Sequence, residues 1–477
     1  MRVCLINPAY EYPYANKINV NLVFPNRVVP PLDLAYPAAI LEKEGHAVSI
    51  IDANAERLSL DELKKKVTES SADLIVISSA PFDRWQCPYL DIKPVEDTIR
   101  LFKSVCLMGP HPTTEPEYFF SKFPQVKYIV RNEPEMTIKE LVVALNTGKR
   151  VDNIKGLSFR GKKIRHNPER PLIRDINSLP CPAYHLLRME LYGDAMLKST
   201  PFVRLLSSRG CPFRCTFCYK SFYGSGYRYR KPSSVFEELK MLKEEYGLKS
   251  FYFGDLEFVL NKKRAIEICH LIAPLKLRWG CTCRVTSVDE ELLGKMKSAG
   301  CEYIYYGLES GDQRVLDMTK KGITLKQAKN AFKITKNSGI TPYAFFLLGL
   351  PGETMGSIEN SIAFLAETEI AESFGFTLAI PYPNTQLYLL AQKENKAKRP
   401  WWEGAREYAG LVGNDLDKGF MHSMDLDAYL RRSLYEKKYG KLFYLNPILI
   451  SKVLRETLRR PHSFVRIVRK GLHVVLK

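Results

Sequence analysis

The chain has 477 residues, 45% hydrophobic and 26% charged, a balance that excludes a disordered or fibrous protein and leaves room for about two to four folded domains. Its formal charge is +19, but residues 441–477 carry nine Lys/Arg against one acid, Glu456, so this tail alone supplies +8. No apolar run approaches the roughly 18 residues of a spanning helix, and eleven cysteines, mostly scattered, fit a reducing cytoplasm better than a disulfide framework.

The first residues, Met1 to Asn7, are apolar but stop at Pro8, which reads as a first β-strand and not a signal peptide. Short apolar strands follow at Ala47–Ile51, Leu74–Ser78, Cys106–Met108 and Tyr128–Val130, with helical patterns at Leu34–Lys43, Leu60–Glu69 and Lys93–Lys103 between them. This alternation predicts a doubly wound, Rossmann-like α/β domain over residues 1–150. Ligands of such sheets bind at the carboxyl ends of the strands. The loops there are Asn7-Pro8-Ala9-Tyr10, Ser79 to Trp85, and Gly109-Pro110-His111-Pro112-Thr113.

Residues 151–200 read as a linker with a small hairpin near Gly161, ending in the extended stretch Leu179-Pro180-Cys181-Pro182. A second alternation begins at Phe202. Strands are expected at Val203–Ser208, Ser250–Phe253, Leu277–Cys283, Tyr303–Gly307, Tyr343–Leu348 and Gly375–Ile380, with a helix after each of the first five. Six strands with right-handed crossovers predict a partial (β/α)6 barrel over 201–395. A mostly helical region with the basic tail occupies 396–477.

Cys211, Cys215 and Cys218 directly follow the first barrel strand, where barrel active sites lie. Three thiolates within eight residues suit an iron–sulfur cluster with one iron left open for a ligand. The alternatives are a zinc site or buried apolar cysteines. Structural zinc prefers four closed ligands, and the remaining close pair, Cys281 and Cys283, is one residue apart on a strand.

Cys-x3-Cys-x2-Cys with an aromatic, Phe217, before the last cysteine resembles the signature of the radical S-adenosylmethionine (SAM) enzymes. The resemblance implies a [4Fe–4S] cluster on Cys211, Cys215 and Cys218 that cleaves SAM. It also implies that Phe217 lies against the adenine and that Gly307-Leu308-Glu309-Ser310-Gly311 contacts SAM. Phe346 to Thr354, including Gly349 and Pro351, resembles the ribose and adenine segment on the fifth strand. Plain helix starts or turns remain the alternative for both segments. Arg284, ending the third strand, can pair with the SAM carboxylate or form a rim salt bridge. Gly254-Asp255-Leu256-Glu257 departs from the Asp-Asp pair expected of relatives, which leaves Asp255 and Glu257 as candidates for SAM or substrate.

A doubly wound domain ahead of such a barrel resembles the cobalamin-binding arrangement. The stretches that carry this resemblance are Pro30 to Ala39, Glu44-Gly45-His46, Gly109 to Thr113 and Arg131-Asn132-Glu133-Pro134-Glu135. It implies cobalamin contacts from Asn7, Pro8, Tyr10, Ser79, Trp85, Gly109, Pro110, His111 and Glu133. One departure stands out: the Asp-x-His-x-x-Gly stretch that supplies a lower axial histidine in other cobalamin enzymes is absent, and His111 belongs to a different loop.

The implied activity is a cobalamin-dependent radical SAM methyltransferase. A 5′-deoxyadenosyl radical would abstract hydrogen from an unactivated carbon, followed by methyl transfer from methylcobalamin. A non-methylating oxidoreductase or cyclase acting on a lipid, tetrapyrrole or natural product is the alternative, and a cobalamin-based sensor is a further one. The expected partners are a small-molecule substrate and an external electron donor such as flavodoxin or ferredoxin. The charge of +19 raises nucleic acid, but no RNA-binding module or zinc finger is visible, so none is expected.

The tail from Ser463 to Lys477 mixes Phe464, Val465, Ile467 and Leu472 with Arg466, Arg469 and Lys470. That pattern suits a basic amphipathic helix on a membrane surface, and equally a helix packed on the barrel. A membrane contact would make a lipid-like substrate more attractive. If the tail binds membrane, deleting residues 441–477 lowers retention on anionic vesicles in a flotation assay; unchanged retention removes that reading.

Overall fold

The computed structural model describes residues 1–10 and 28–414, except 195, 196, 198, 221 and 369–372, together with scattered positions between 416 and 437. The basic tail lies outside the described residues, as does most of the helical C-terminal region.

The Val, Ile and Leu runs of the first 130 residues form strands buried on both faces, as a sheet covered by helices requires. In chain order they are β1 (Arg2–Asn7), α1 (Leu32–Lys43), β2 (Ala47–Asp52), α2 (Leu60–Ser70), β3 (Leu74–Ser78) and α3 (Lys93–Arg100). Then come β4 (Val105–Met108), α4 (Pro110–Thr114), α5 (Pro116–Lys122), β5 (Val126–Val130) and α6 (Glu135–Asn146). Local chemistry sets the boundaries; Ser59 and Glu62, for example, close a reciprocal capping box at the start of α2. The sheet runs β2-β1-β3-β4-β5, all parallel, so the order reverses between β1 and β3. That switch point opens a crevice at the strand C-termini.

The segment read as a linker contributes to this sheet. Its hairpin is β6 (Leu157–Arg160) and β7 (Ile164–His166), paired antiparallel onto β5. The turn at Gly161 was visible in the sequence; its pairing partner was not.

The second half is a six-stranded parallel sheet, β15-β14-β13-β12-β11-β8, open between β8 and β15. Its elements are β8 (Phe202–Leu205), α7 (Pro232–Tyr246), β11 (Ser250–Phe253), α8 (Lys262–Ile272), β12 (Arg278–Cys283), α9 (Glu290–Ser298) and β13 (Cys301–Glu309). After them come α10 (Gln313–Met318), α11 (Leu325–Asn337), β14 (Thr341–Leu348), α12 (Met355–Glu367), β15 (Phe374–Leu378) and α13 (Gln386–Lys393). Helix α14 (Trp401–Tyr408) follows, and a two-residue pair, β9 (Ser208–Arg209) with β10 (Arg228–Tyr229), closes the long loop between them.

Alternation along the strands sorts the barrel's two faces. Val203, Phe251, Phe253, Trp279, Cys281, Cys283, Ile304 and Tyr306 join the main core. Phe202, Tyr252, Tyr303 and Tyr305 form a separate cluster inside the barrel, with Tyr343 and Phe345 packed against it. Cys281 and Cys283 thus sit in the outer core, 3.6 Å apart at sulfur and fully buried.

The loop after β3 is held by Asp33, whose buried carboxylate accepts from the Ser78 hydroxyl at 2.6 Å and the Phe82 N–H at 2.8 Å. Burial pushes this carboxyl up to about 7, with those hydrogen bonds opposing. The folded value lies above the ordinary one of about 3.9. The contribution of Asp33 to stability is therefore full below about pH 4 and is lost as pH rises through about 7. In urea unfolding at pH 5 and pH 8, the wild-type chain should lose more stability over that interval than Asp33→Asn.

Candidate functional site

The cysteine loop leaves β9 through Gly210, whose φ is +87°. A Cβ there would lie 1.7 Å from the Gly226 carbonyl oxygen, so only glycine permits this exit. Lys220 then crosses the loop and donates to the Cys211 carbonyl at 3.3 Å and to that of Phe213. On the far side the Thr216 N–H donates to Thr319 O at 3.0 Å, and the Leu387 N–H to Thr216 O at 3.1 Å. All three thiols are free and partly covered. Burial, then the neighbouring Cys215 and Cys211, pushes the Cys218 thiol up to about 12. Binding a metal as thiolate removes that penalty. Among the described residues no three His, Cys, Asp or Glu side chains are preassembled around one point.

The cysteines have cationic neighbours. Arg284 lays its guanidinium over the Phe213 ring at 3.7 Å and donates to Cys215 Sγ at 3.8 Å. A second nitrogen binds the Lys321 and Gly322 carbonyls. Its Nε is buried without an acceptor. Beside it Lys321 pairs with Glu309 at 2.7 Å, both buried. Glu309 has φ of +73°, and Gly307 makes room for its carboxylate: a Cβ on Gly307 would lie 2.5 Å from Glu309 Oε1. Glu257 is buried, and its carboxylate has only weak donors nearby, from Ser287 and the Arg284 backbone. Burial pushes it up to about 7, with Ser287 and Arg284 lowering it in part. A buried acceptor short of donors is costly unless a ligand supplies one. This constellation fits an open-iron cluster and the ammonium and carboxylate of SAM.

Other expected SAM residues fare differently. Phe217 is half-buried among Leu350, Leu387 and Val412. Ser310 is buried and accepts from the Asp312 N–H at 3.2 Å. The Gly349 N–H donates to Glu353, and its carbonyl accepts from Asn414 Nδ2 at 3.0 Å. Gly413 is fitted against Pro351. The residues 410–414 that cover this segment lie beyond its motif, which is why the sequence did not reveal them. Thr354 is a helix cap, accepting from the Ser357 N–H at 3.3 Å. Asp255 is taken up by the barrel itself, accepting from the N–H and hydroxyl groups of both Ser207 and Ser208.

In the first domain, Asn7 ends β1 at the switch point. It donates to Asp52 at 2.8 Å, and its own buried Oδ1 has no partner. Pro8 is buried beside it, and Tyr10 stacks on Tyr89 at 4.5 Å. Ser79 and Gly109 meet edge to edge, since a Cβ on Gly109 would lie 2.6 Å from Ser79 Oγ, and Pro110 starts α4. These loops and the orphaned Asn7 acceptor at a switch-point crevice fit a bulky, amide-bearing cofactor such as cobalamin.

Two expected cobalamin contacts have their side chains engaged by other groups of the protein. His111 is fully buried, with Nδ1 3.2 Å from Ser79 Oγ, Nε2 2.8 Å from Tyr89 O, and its ring stacked on Trp401. Burial lowers it to about 4, and both nitrogens are occupied, so it is unavailable to cobalt. Glu133 is not in the crevice chemistry either. It pairs with Arg209 at 3.0 Å and Arg228 at 2.9 Å and accepts from the Ile173 N–H at 2.8 Å. The other fork of Arg209 reaches Glu135 at 2.6 Å. Burial opposes the Arg209 charge, but Glu135 and Glu133 outweigh it and raise its pKa. Trp85 packs on Phe222 and Tyr223 of the cysteine loop, at 4.5 and 5.7 Å. From the sequence it was expected only as one of the implied cobalamin contacts. A cavity of about 480 Å³, lined by Asn132, Arg170, Cys218, Lys220 and Asn384 among others, opens beside the cysteine loop.

The fold and site define a two-cofactor enzyme, with a switch-point domain clamped over an open barrel. Residues 205–365 match the Radical SAM superfamily and residues 20–142 the B12 binding domain. An uncharacterised methyltransferase of Pyrococcus horikoshii is 35% identical over 91% of both chains. An anaerobic magnesium-protoporphyrin IX monomethyl ester cyclase of Rubrivivax gelatinosus is 28% identical over 81% of this chain and 69% of its own. The cobalamin-dependent SAM radical enzyme OxsB, solved with aqua-cobalamin and SAM, superposes with a TM-score of 0.71 at 18% identity, covering 97% of this chain and 75% of its own. The chain belongs to the cobalamin-binding radical SAM enzymes, with a [4Fe–4S] cluster, SAM and cobalamin as cofactors.

Arg209 is one of the residues that join the domains at the cysteine loop. Removing one partner of a buried, hydrogen-bonded ion pair costs roughly 3–5 kcal/mol. Arg209→Met is therefore expected to lower the unfolding free energy by about that much in urea titration. Arg209→Lys, which cannot fork to both glutamates, should recover only part.

Proposed function

We propose that the protein is a cobalamin-dependent radical SAM methyltransferase acting at an unactivated carbon of a small molecule. The observation that carries this reading is its similarity, at 35% identity over 91% of both chains, to an uncharacterised methyltransferase, together with its own B12-binding and radical SAM domains. When bound, the cluster supplies the electron that splits SAM, and cobalamin supplies the methyl group.

The chain's own task is placement and exclusion of water. Cys211, Cys215 and Cys218 would hold the cluster and leave one iron for SAM. Arg284 would offer its unpaired Nε to the SAM carboxylate, and the weakly satisfied Glu257 carboxylate would accept from the ammonium. The Glu309–Lys321 pair sets the charge beside them. Asn7, with its bare acceptor, would take an amide donor of the corrin periphery. The aromatic wedge of Trp85, Phe222 and Tyr223 closes the joint between the domains against solvent. A one-electron donor of the flavodoxin or ferredoxin class would reach the cluster through the cavity beside Cys218.

A non-methylating reaction is the second reading, favoured by the similarity to the cyclase of Rubrivivax gelatinosus. Anaerobic turnover separates the two. Methyl transfer yields S-adenosylhomocysteine together with 5′-deoxyadenosine and a product heavier by one methylene, read by mass spectrometry. Formation of 5′-deoxyadenosine without S-adenosylhomocysteine would overturn the methyltransferase reading. Cys215→Ala should abolish both products along with the iron–sulfur absorbance; activity that survives loss of that absorbance would sink the catalytic reading.

A further inference from the structure

The inside of the barrel holds one arginine that the two cofactors do not account for. Arg204 lies on β8, on the same face as Phe202, and register places it level with Tyr252, Gly280 and Tyr303. Its side chain climbs one layer toward the cofactor end. There it passes Gly254, the residue that stands where relatives were expected to carry the first aspartate. A Cβ at 254 would lie 2.8 Å from Arg204 Nε and 2.9 Å from its Cγ. The glycine therefore makes room for the arginine.

The surroundings of this guanidinium are those of a binding site. It sits over the Tyr252 ring at 5.4 Å, and one nitrogen donates to the Asp83 carbonyl of the cobalamin-domain loop at 3.3 Å. Its Nε is buried with no acceptor, and among the described residues no carboxylate forms an ion pair with it. This differs from Arg209 and Arg230, which are buried against glutamates. Arg204 as a whole is half-buried, but its Nε–H is a buried donor without an acceptor, which is costly, and a ligand anion would offset the cost. One layer above, register sets Arg284 near Gly307 and Phe345. Arg204 is thus just below the level of the groups that face SAM. Around it the barrel wall is aromatic: Tyr252, Tyr303, Tyr305, Tyr343 and Phe345, the last two only half-buried.

We propose that Arg204 is the anion-recognising residue of the substrate chamber. The substrate then carries a carboxylate or phosphate on an apolar body that packs against Tyr252, Tyr305, Tyr343 and Phe345. The anion fixes the body's height in the barrel, and hence which carbon faces the radical. The inference rests on the barrel being the chamber in which a substrate carbon is activated.

Three matched probes test it on the reconstituted full-length enzyme by anaerobic calorimetry: 1-naphthyl phosphate, 1-naphthylacetate and the neutral 1-naphthylacetamide. At least one anion is expected to bind about tenfold more tightly than the amide, as one charge-assisted contact provides. Whichever anion binds more tightly identifies the headgroup. Arg204→Gln should bring anion and amide to within about twofold of each other, and Arg204→Lys should keep part of the preference. Should Arg204→Gln fail to hold its cluster, Gly254→Ala serves instead, because its Cβ displaces the guanidinium and should erode the same preference. Equal binding of anions and amide to wild type, binding of none of the three, or a preference that survives both Arg204→Gln and Gly254→Ala would overturn the proposal. None of these readings depends on the product formed. A turnover assay without S-adenosylhomocysteine would remove methyl transfer and leave the anion preference standing.

Discussion

A buried ion-pair network centred on one guanidinium ties the two cofactor domains together. Arg209 is the residue before the glycine that opens the cysteine loop, and its forks end on Glu133 and Glu135 of the other domain. A fork with fixed geometry suits this position, since a lysine could satisfy only one carboxylate at a time. Two acids and two arginines, with Arg228 as the second, nearly neutralise one another, which is what makes their burial tolerable. The consequence is mechanical. The loop that would carry the iron–sulfur cluster cannot shift without disturbing the domain that would carry the corrin. Trp85 adds an apolar contact to the same joint by packing on Phe222 and Tyr223.

Within the barrel the same problem, placing charge where water is absent, is solved through missing side chains. Gly307 admits the Glu309 carboxylate to its lysine, and Gly254 admits Arg204. Gly280 admits the Tyr303 ring, which a Cβ would meet at 2.4 Å. Gly280 and Gly307 lie on strands where β-propensity alone favours a larger residue, and Gly254 directly follows one. The polar groups gathered this way differ in kind. Glu309 and Lys321 satisfy each other, whereas Glu257 is only weakly satisfied and Arg284 Nε and Arg204 Nε are left open. Open groups in a folded protein mark where ligands complete the structure.

The strands were legible in the sequence because apolar runs bounded by turn residues leave few alternatives, and the cysteine loop because its spacing has few chemical uses. Long-range pairing was not legible. Glu133 looked like a cobalamin contact since its stretch resembles that of cobalamin domains, yet its partner is 76 residues away at Arg209. Lys321 sits in an ordinary Lys-Lys-Gly run that reads as solvated surface, and only the fold turns it inward to Glu309. His111 was expected as a cobalamin contact, and its side chain is engaged within the protein, with Ser79 and Tyr89 taking both nitrogens. In each case the residue type was informative and its partner, set by tertiary packing, decided the role.

The C-terminal segment illustrates this furthest. Trp401 stacks on His111 and donates to Thr114 Oγ1 at 3.0 Å, so α14 seals the loop after β4 of the first domain. A few residues on, Gly410 and Asn414 close over Gly349 at the end of β14 in the barrel. One short stretch therefore caps a strand end in each domain, on the side where each would hold its cofactor. Arg209 fixes the joint from the cysteine loop, and this stretch fixes it from the far end of the chain. With two such ties, rigid separation of the domains would break a buried ion-pair network and an aromatic stack together. The motions open to substrate are then confined to the loops between them.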